Sequence, residues 1–223
     1  PKTKFDIKTD GVKFIIDFLE CVPNESLMIA HNMNFDTVFI RRFLKIQFGT
    51  LETTTDIKKL QTLYNKKKLT FIDSYKFIST KLEKFGEMFN LQTKKQIFNY
   101  NLLTQDNIKN SMISKNDFMN TPENKTGLNI EMWNTASSLG FIEIKDNIEY
   151  FDLMEYTRYY CEYDVLLLSQ GFLNFFCNIY DVFGINIFNK VSIASVADTI
   201  FKEYGAFDGV YKIAGRCREF IQS

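Results

Sequence analysis

An apolar run, Leu27-Met28-Ile29-Ala30, breaks directly into the polar stretch His31-Asn32-Met33-Asn34-Phe35-Asp36, and a helical pattern (Val38, Phe39, Arg42, Phe43, Ile46) follows at once. Consecutive apolar residues before a turn, with a 3.6-residue period after it, describe a buried strand feeding a helix. One carboxylate, Asp36, stands at the junction. A second stretch, Tyr160-Cys161-Glu162-Tyr163-Asp164, puts Tyr160 and Asp164 four residues apart and so on one helix face. Two carboxylates and a phenol from distant segments suggest a two-metal phosphodiester site.

The rest of the chain supports an alternation of helix and strand. Val12, Phe14, Ile15, Phe18 and Leu19 share a stripe, which predicts a helix over 11–20. A strand at 26–31 and a helix at 36–47 follow. Leu69 to Ile72 read as a second buried strand ending in Asp73-Ser74, and a short helix over 79–89 would turn Leu82, Phe85, Met88 and Phe89 inward. From about 92 to 148 the pattern is lost in an asparagine-rich stretch with turn signals at Pro122-Glu123-Asn124 and Thr126-Gly127. This stretch reads as an insertion of loops and short helices, longer than a plain connection needs. A long helix is expected over 152–181 and another over 191–204, starting near Ser192. Val210 to Ile221 read as strand or linker. The alternation argues for an α/β core.

With 223 residues and 45% hydrophobic content, the chain is long enough to bury a proper core. Its 27 lysines and arginines balance 27 aspartates and glutamates, so there is no bulk basic field for a polyanion. Binding to nucleic acid would rest on metal ions or local patches such as Lys66-Lys67-Lys68, Arg41-Arg42 and Lys94-Lys95, each of which taken singly reads first as a solvated loop or helix face. Four cysteines without C-x-x-C spacing, and a single histidine, leave almost no room for a zinc site. Few cysteines and no evident apolar run of membrane-spanning length predict an intracellular protein in a reducing compartment, such as a host cytoplasm, viral factory or mitochondrion.

Two-metal cleavage needs hard ions about 4 Å apart, held by carboxylate oxygens, and a group that keeps the attacking water in line. Asp36 and Asp164 supply the carboxylates for two divalent cations, Mg2+ or Mn2+. Tyr160 supplies a hydroxyl one turn from Asp164. Asn32 can hydrogen-bond a sugar or base edge, and Phe35 can stack on a base. Taken singly, each has a plainer explanation: Asp36 as a helix-start acid, Asp164 as a solvated position, Phe35 as core, His31 as a structural histidine. The signal is their conjunction in this order.

These residues carry a family resemblance. Ala30-His31-Asn32-Met33-Asn34-Phe35-Asp36 and Tyr160-Cys161-Glu162-Tyr163-Asp164-Val165 resemble the second and third exonuclease motifs of family B DNA polymerases, most closely the protein-primed type of viruses, linear plasmids and mobile elements. Phe71-Ile72-Asp73-Ser74-Tyr75-Lys76-Phe77, with Lys81-Leu82 and Phe89-Asn90-Leu91, resembles the segment that family uses to hold single-stranded DNA. Ser192-Ile193-Ala194-Ser195-Val196-Ala197 resembles its T-x-x-S-L-A helix. Gly215-Arg216-Cys217-Arg218-Glu219-Phe220-Ile221 resembles the approach to the polymerase palm.

The resemblance implies a 3′→5′ proofreading exonuclease domain with a ribonuclease-H-like (DnaQ-like) α/β fold, a mixed sheet flanked by helices. Asp36 and Asp164 would be metal ligands, Asp164 directly and Asp36 directly or through water. Tyr160 would orient the attacking water. His31, Asn32, Phe35 and Leu82 would contact the 3′ end of the single strand, and Lys81, standing where the family has serine or threonine, would meet a phosphate. The implied partners are a single-stranded 3′ end, primer–template DNA, a priming terminal protein, and a palm in the same parent chain, with no membrane. The exonuclease-like domain would span 1–205, including the insertion at about 92–148, and 206–223 would be a linker toward the palm.

Two departures matter. The family's first motif, Asp-x-Glu, is not found. Phe5-Asp6-Ile7-Lys8-Thr9 has lysine for the glutamate, and the helix beginning by residue 11 leaves no room for the strands that should follow. The first strands are therefore expected to lie upstream. The lysine-x-tyrosine motif of protein-primed relatives is also absent between Asp36 and Tyr160. Two other readings stay open: a degenerate exonuclease fold serving as a single-strand-binding or structural module, and a free-standing DnaQ-like exonuclease.

Overall fold

The computed structural model describes residues 11–34, 59–121, 127–206 and 208. Helix α1 (Gly11–Cys21) leads into strand β1 (Leu27–Ala30), as the apolar stripe and run require. Strand β3 (Lys67–Asp73) covers the expected strand and pairs with β1 in parallel, with Ala30 opposite Asp73. An unforeseen strand, β2 (Lys59–Tyr64), pairs with β3 antiparallel, giving the order β1-β3-β2. Its turn is Asn65-Lys66, both left-handed (φ 46° and 66°), the two-residue hairpin geometry whose twist matches the strands. The sheet carries cores on both faces. Met28, Ala30, Leu69 and Phe71 pack with Ile15, Ile16 and Leu19 of α1. Ile29 and Ile72, of opposite parity, belong to a second cluster built around the long helix.

The expected helix over 79–89 is a 3₁₀ turn (Leu82–Lys84) running into one α-turn, α2 (Phe85–Met88). Phe85 is fully buried, but Met88 is exposed, against its expected inward position.

The stretch at 92–148 is more than loops and short helices. After α3 (Gln105–Asn110) come β4 (Met112–Ser114), α4 (Lys115–Met119), α5 (Leu128–Ser138), β5 (Ile142–Lys145) and β6 (Ile148–Asp152). The strands make an antiparallel sheet, order β4-β6-β5. The β5–β6 turn again uses two left-handed residues, Asp146 and Asn147. The sheet and helices close over Leu102, Phe118, Met132, Phe151 and Leu153, all with no exposed surface.

Inside lies a polar knot. The Asn99 amide donates to Asn129 Oδ1 at 2.9 Å, and the Asn129 amide donates to Phe118 O at 2.7 Å. Asn99 and Asn129 are both buried, so each bond lost leaves an orphan worth about 1–3 kcal/mol. Asn129→Ala is expected to lower stability by about 2–3 kcal/mol on that ground. Urea unfolding would show this as a lower midpoint at unchanged slope.

Helix α6 (Leu153–Phe183) begins on Asp152, whose Oδ1 accepts the N–H groups of Met154 and Glu155, and ends at Gly184 in the left-handed conformation. Its first turns complete the core under the β4-β6-β5 sheet, and its later turns pack Leu167, Gly171 and Phe172 on Phe77, Phe85 and Ile72. The expectation that no apolar run reaches membrane-spanning length needs correcting. Among the described residues α6 is the one helix long and apolar enough to cross a membrane by length and composition. Helix α7 (Ile193–Glu203) starts on a capping box of Ser192 and Ser195, one residue from where its start was expected. The expected helix at 36–47, Phe35, Asp36, Asp6, Arg41-Arg42 and most of the segment 206–223 lie outside the described residues.

Candidate active site

Tyr156, Tyr160, Asp164 and Leu167 fall along one face of α6 at steps of three and four residues, so the helix delivers Tyr160 and Asp164 to the same place. Tyr160 is buried, its ring 4.9 Å from that of Phe98 and edge-on to that of Tyr100 at 6.2 Å. Its hydroxyl lies 2.7 Å from the Tyr100 hydroxyl and accepts from Lys95 Nζ at 2.7 Å. The same ammonium donates to Asp164 Oδ2 at 2.6 Å. Lys95 Nζ also lies 4.8 Å from the Tyr160 ring centre. That distance accompanies the hydroxyl contact, so the hydrogen bond carries the attraction.

Burial, the Tyr100 hydrogen bond and the Asp164 charge push the Tyr160 phenol far above its ordinary range. Tyr160 therefore stays protonated and can hold a water but not deprotonate it. Cys161 is likewise held up by burial and by Asp164, against a smaller lowering by Lys95, which makes it a poor nucleophile.

Asp164 Oδ1 is buried and has no hydrogen-bond partner. A carboxylate oxygen hidden without a donor is an expensive feature. It suits a hard cation, which takes carboxylate oxygens as ligands. Among the described residues no group of three histidine, cysteine or acidic side chains converges. Of the two expected metal ligands, Asp164 is among the described residues and Asp36 lies outside them.

His31 is half-buried. Its Nε2 donates to Thr80 O at 2.8 Å, its Nδ1 lies 2.9 Å from Ser74 Oγ, and its ring meets Tyr75 and Phe85 edge-on. Asn32 exposes its side chain, is left-handed (φ 64°), and gives its backbone N–H to Asp73 Oδ1 at 2.9 Å. Leu82 is half-buried in the cluster around α6, while Lys81 is well exposed beside Glu83 at 3.7 Å.

Lys95 and Tyr100 were not foreseen as site residues. Lys95 read as half of a basic patch, and the lysine-x-tyrosine pair sought was absent. The structure joins a lysine and a tyrosine five positions apart on the Tyr160 hydroxyl. The legible trace was an aromatic residue between them, Phe98, which is buried against Tyr156 and Tyr160 of α6.

The family model for type B DNA polymerases, organellar and viral, matches residues 19–218. A protein described as a probable DNA polymerase from Neurospora intermedia is 28% identical over 216 residues, which is 96% of this chain and 20% of that protein. The chain thus spans about a fifth of the length of the curated relative it matches. No solved structure matches it. With nearly its whole length inside the family's match, the chain belongs to the organellar and viral type B DNA polymerases.

Proposed function

We propose that this chain is the greater part of a 3′→5′ proofreading exonuclease domain, of ribonuclease-H-like fold, in a protein-primed polymerase whose palm lies elsewhere in the parent chain. The observation that carries the reading is Asp164. Its Oδ1 is buried and unpartnered, one helical turn from the Tyr160 hydroxyl, which burial holds well above its ordinary range.

Asp164 and Asp36 would hold divalent cations, Mg2+ or Mn2+, which supply charge stabilisation at the attacking and leaving oxygens. The chain's own groups do the positioning. The Tyr160 phenol holds the attacking water in line. Lys95 fixes both Tyr160 and Asp164 and offers a positive charge toward a phosphate. Tyr100, largely exposed, extends the hydroxyl pair to the surface where a 3′ end could enter. Asn32, Phe35, Lys81 and Leu82 would contact the single strand, with His31 bracing them from behind. In the parent, primer–template DNA and a priming terminal protein are the partners.

Lys95→Met removes one preorganised donor, a loss that costs about a hundredfold in rate. It is expected to slow release of the 3′-terminal nucleotide by that factor in single-turnover measurements on the complete polymerase. An unchanged rate would remove Lys95 from the site. The chain carries no Asp-x-Glu pair before Asn32, so its carboxylate set is short. The 223-residue chain alone is therefore expected to show little or no degradation of single-stranded DNA. Magnesium-dependent 3′-directed degradation by it, abolished by Asp164→Ala, would show that these carboxylates suffice.

A further inference from the structure

We infer that Asp73 and Ser74 act as a positioning clamp that sets the β1 exit, with His31 and Asn32, against the Lys81–Leu82 segment; this rests on the exonuclease reading above. β1 and β3 are parallel with Ala30 opposite Asp73, so both strands end at one level. There Ser74 Oγ donates to Ala30 O at 3.0 Å, and Asp73 Oδ1 accepts the Asn32 N–H at 2.9 Å. Two consecutive side chains thus hold the last strand carbonyl and the amide two residues beyond it. Asp73 Oδ1 also accepts the Tyr75 N–H at 3.0 Å, which caps the 3₁₀ turn Ser74–Lys76 and fixes the carboxylate itself.

The clamp holds the chain in a conformation it would not take by itself. Asn32 sits at φ 64°, where a side chain crowds the following carbonyl. A charge-assisted bond to its amide offsets that preference. The same step reaches the other expected DNA-contact segment. Ser74 Oγ lies 2.9 Å from His31 Nδ1, and His31 Nε2 donates to Thr80 O, next to Lys81 and Leu82. Asp73 and Ser74 therefore tie the β1 exit and the Lys81–Leu82 segment to one point on the sheet.

Asp73 is 1% exposed, and its Oδ2 is buried without a hydrogen-bond partner. A buried carboxylate oxygen left unsatisfied is a cost that folding alone does not call for, and such costs gather at working sites. Asp73 touches no reacting group, so its effect reaches the chemistry through the placement of Asn32 and, by way of Ser74 and His31, of the Lys81–Leu82 segment.

The test uses the complete polymerase carrying this segment, as wild type, Asp73→Ala and Asp73→Asn. It reads kcat and KM for 3′-nucleotide release from single-stranded DNA, the rate of nucleotide addition, and amide exchange along 27–34. A displacement of about 1 Å costs about a hundredfold in rate. Asp73→Ala is expected to lower kcat by about that factor, with KM within about twofold, nucleotide addition unchanged, and exchange raised only around 30–34. Asp73→Asn keeps an oxygen at Oδ1 and is expected to recover kcat to within about fivefold of wild type. The clamp is overturned if Asp73→Ala leaves kcat intact, if Asp73→Asn is as impaired as Asp73→Ala, or if both activities fall together with exchange raised throughout. A wild-type enzyme that releases no 3′ nucleotide overturns the exonuclease reading instead. In that case the exchange at 30–34 still decides whether Asp73 holds the β1 exit.

Discussion

Asp164→Asn in the complete polymerase is expected to lower release of the 3′-terminal nucleotide by about a thousandfold or more while leaving nucleotide addition intact. A metal ion contributes several kcal/mol of charge stabilisation to such a reaction, and each 1.36 kcal/mol is about tenfold in rate. Asparagine keeps the shape of Asp164 and one accepting oxygen but loses the charge a cation requires. The change does not act through unfolding. The Lys95–Asp164 pair is about three-quarters buried, and a hydrogen bond to a charged group is worth about 1.5–3 kcal/mol, part of which the asparagine oxygen keeps. The two effects differ enough in size to be told apart by comparing thermal unfolding with turnover. A variant that keeps its exonuclease rate would place the metal-binding carboxylates elsewhere.

Gly171→Ala is expected to destabilise the fold, although helix propensity alone predicts the opposite. Inside a helix, alanine is favoured over glycine by about 1 kcal/mol. At Gly171, however, an added Cβ would lie 2.4 Å from Phe85 Cδ2 and 3.2 Å from Phe89 Cδ2. Phe85 is fully buried and already packs on His31 and Phe89, so its ring has no room to withdraw. Overpacking of this kind costs about 1–3 kcal/mol. The net loss from Gly171→Ala is on the order of 1–2 kcal/mol, and Gly171→Val costs more. For a chain of this size the expected fall in Tm is about 2–4 °C per kcal/mol. A raised Tm for Gly171→Ala would mean that α6 does not approach the Leu82–Phe89 segment this closely. Gly171 lies two turns from Asp164 on the packed side of α6, so the variant is expected to slow 3′-nucleotide release as well.

The elements that could be read from the chain are those whose own periodicity is strong. The stripe through Ile15, Phe18 and Leu19 gave α1, the run Leu27 to Ala30 gave β1, and the aromatic-rich stretch after Asp152 gave α6. Ser192 was legible as a helix start because a serine before an apolar stretch can accept the first free N–H groups.

What escaped notice depends on contacts between distant residues. β2 was hidden because Lys59, Gln61 and Thr62 dilute its apolar positions, and because Asn65-Lys66 and Asp146-Asn147 make hairpin turns without the glycine that usually marks them. The second sheet was missed because β4 to β6 are only three to five residues long and hold together around a core supplied partly by α6. Asn99 and Asn129 looked like loop residues, yet they are buried polar partners. Met88 follows an inward pattern that fails because the helix lasts one turn.

The candidate site divides in the same way. Tyr160 and Asp164 were visible through their spacing on a single helix. Lys95 was invisible because its partners are 65 and 69 residues away. Asp73 was noticed as the end of a strand, but its bond to Asn32 exists only because β1 and β3 are parallel neighbours.

The most direct test is to follow a single strand labelled at its 3′ end, and another labelled at its 5′ end, with the complete polymerase in magnesium or in chelator. Stepwise release of mononucleotides from the 3′ end in magnesium, none in chelator, and loss of that release with Asp164→Asn is the predicted result. Release that proceeds in chelator, starts from the 5′ end, or is absent while nucleotide addition is normal would contradict a metal-dependent proofreading site at Asp164.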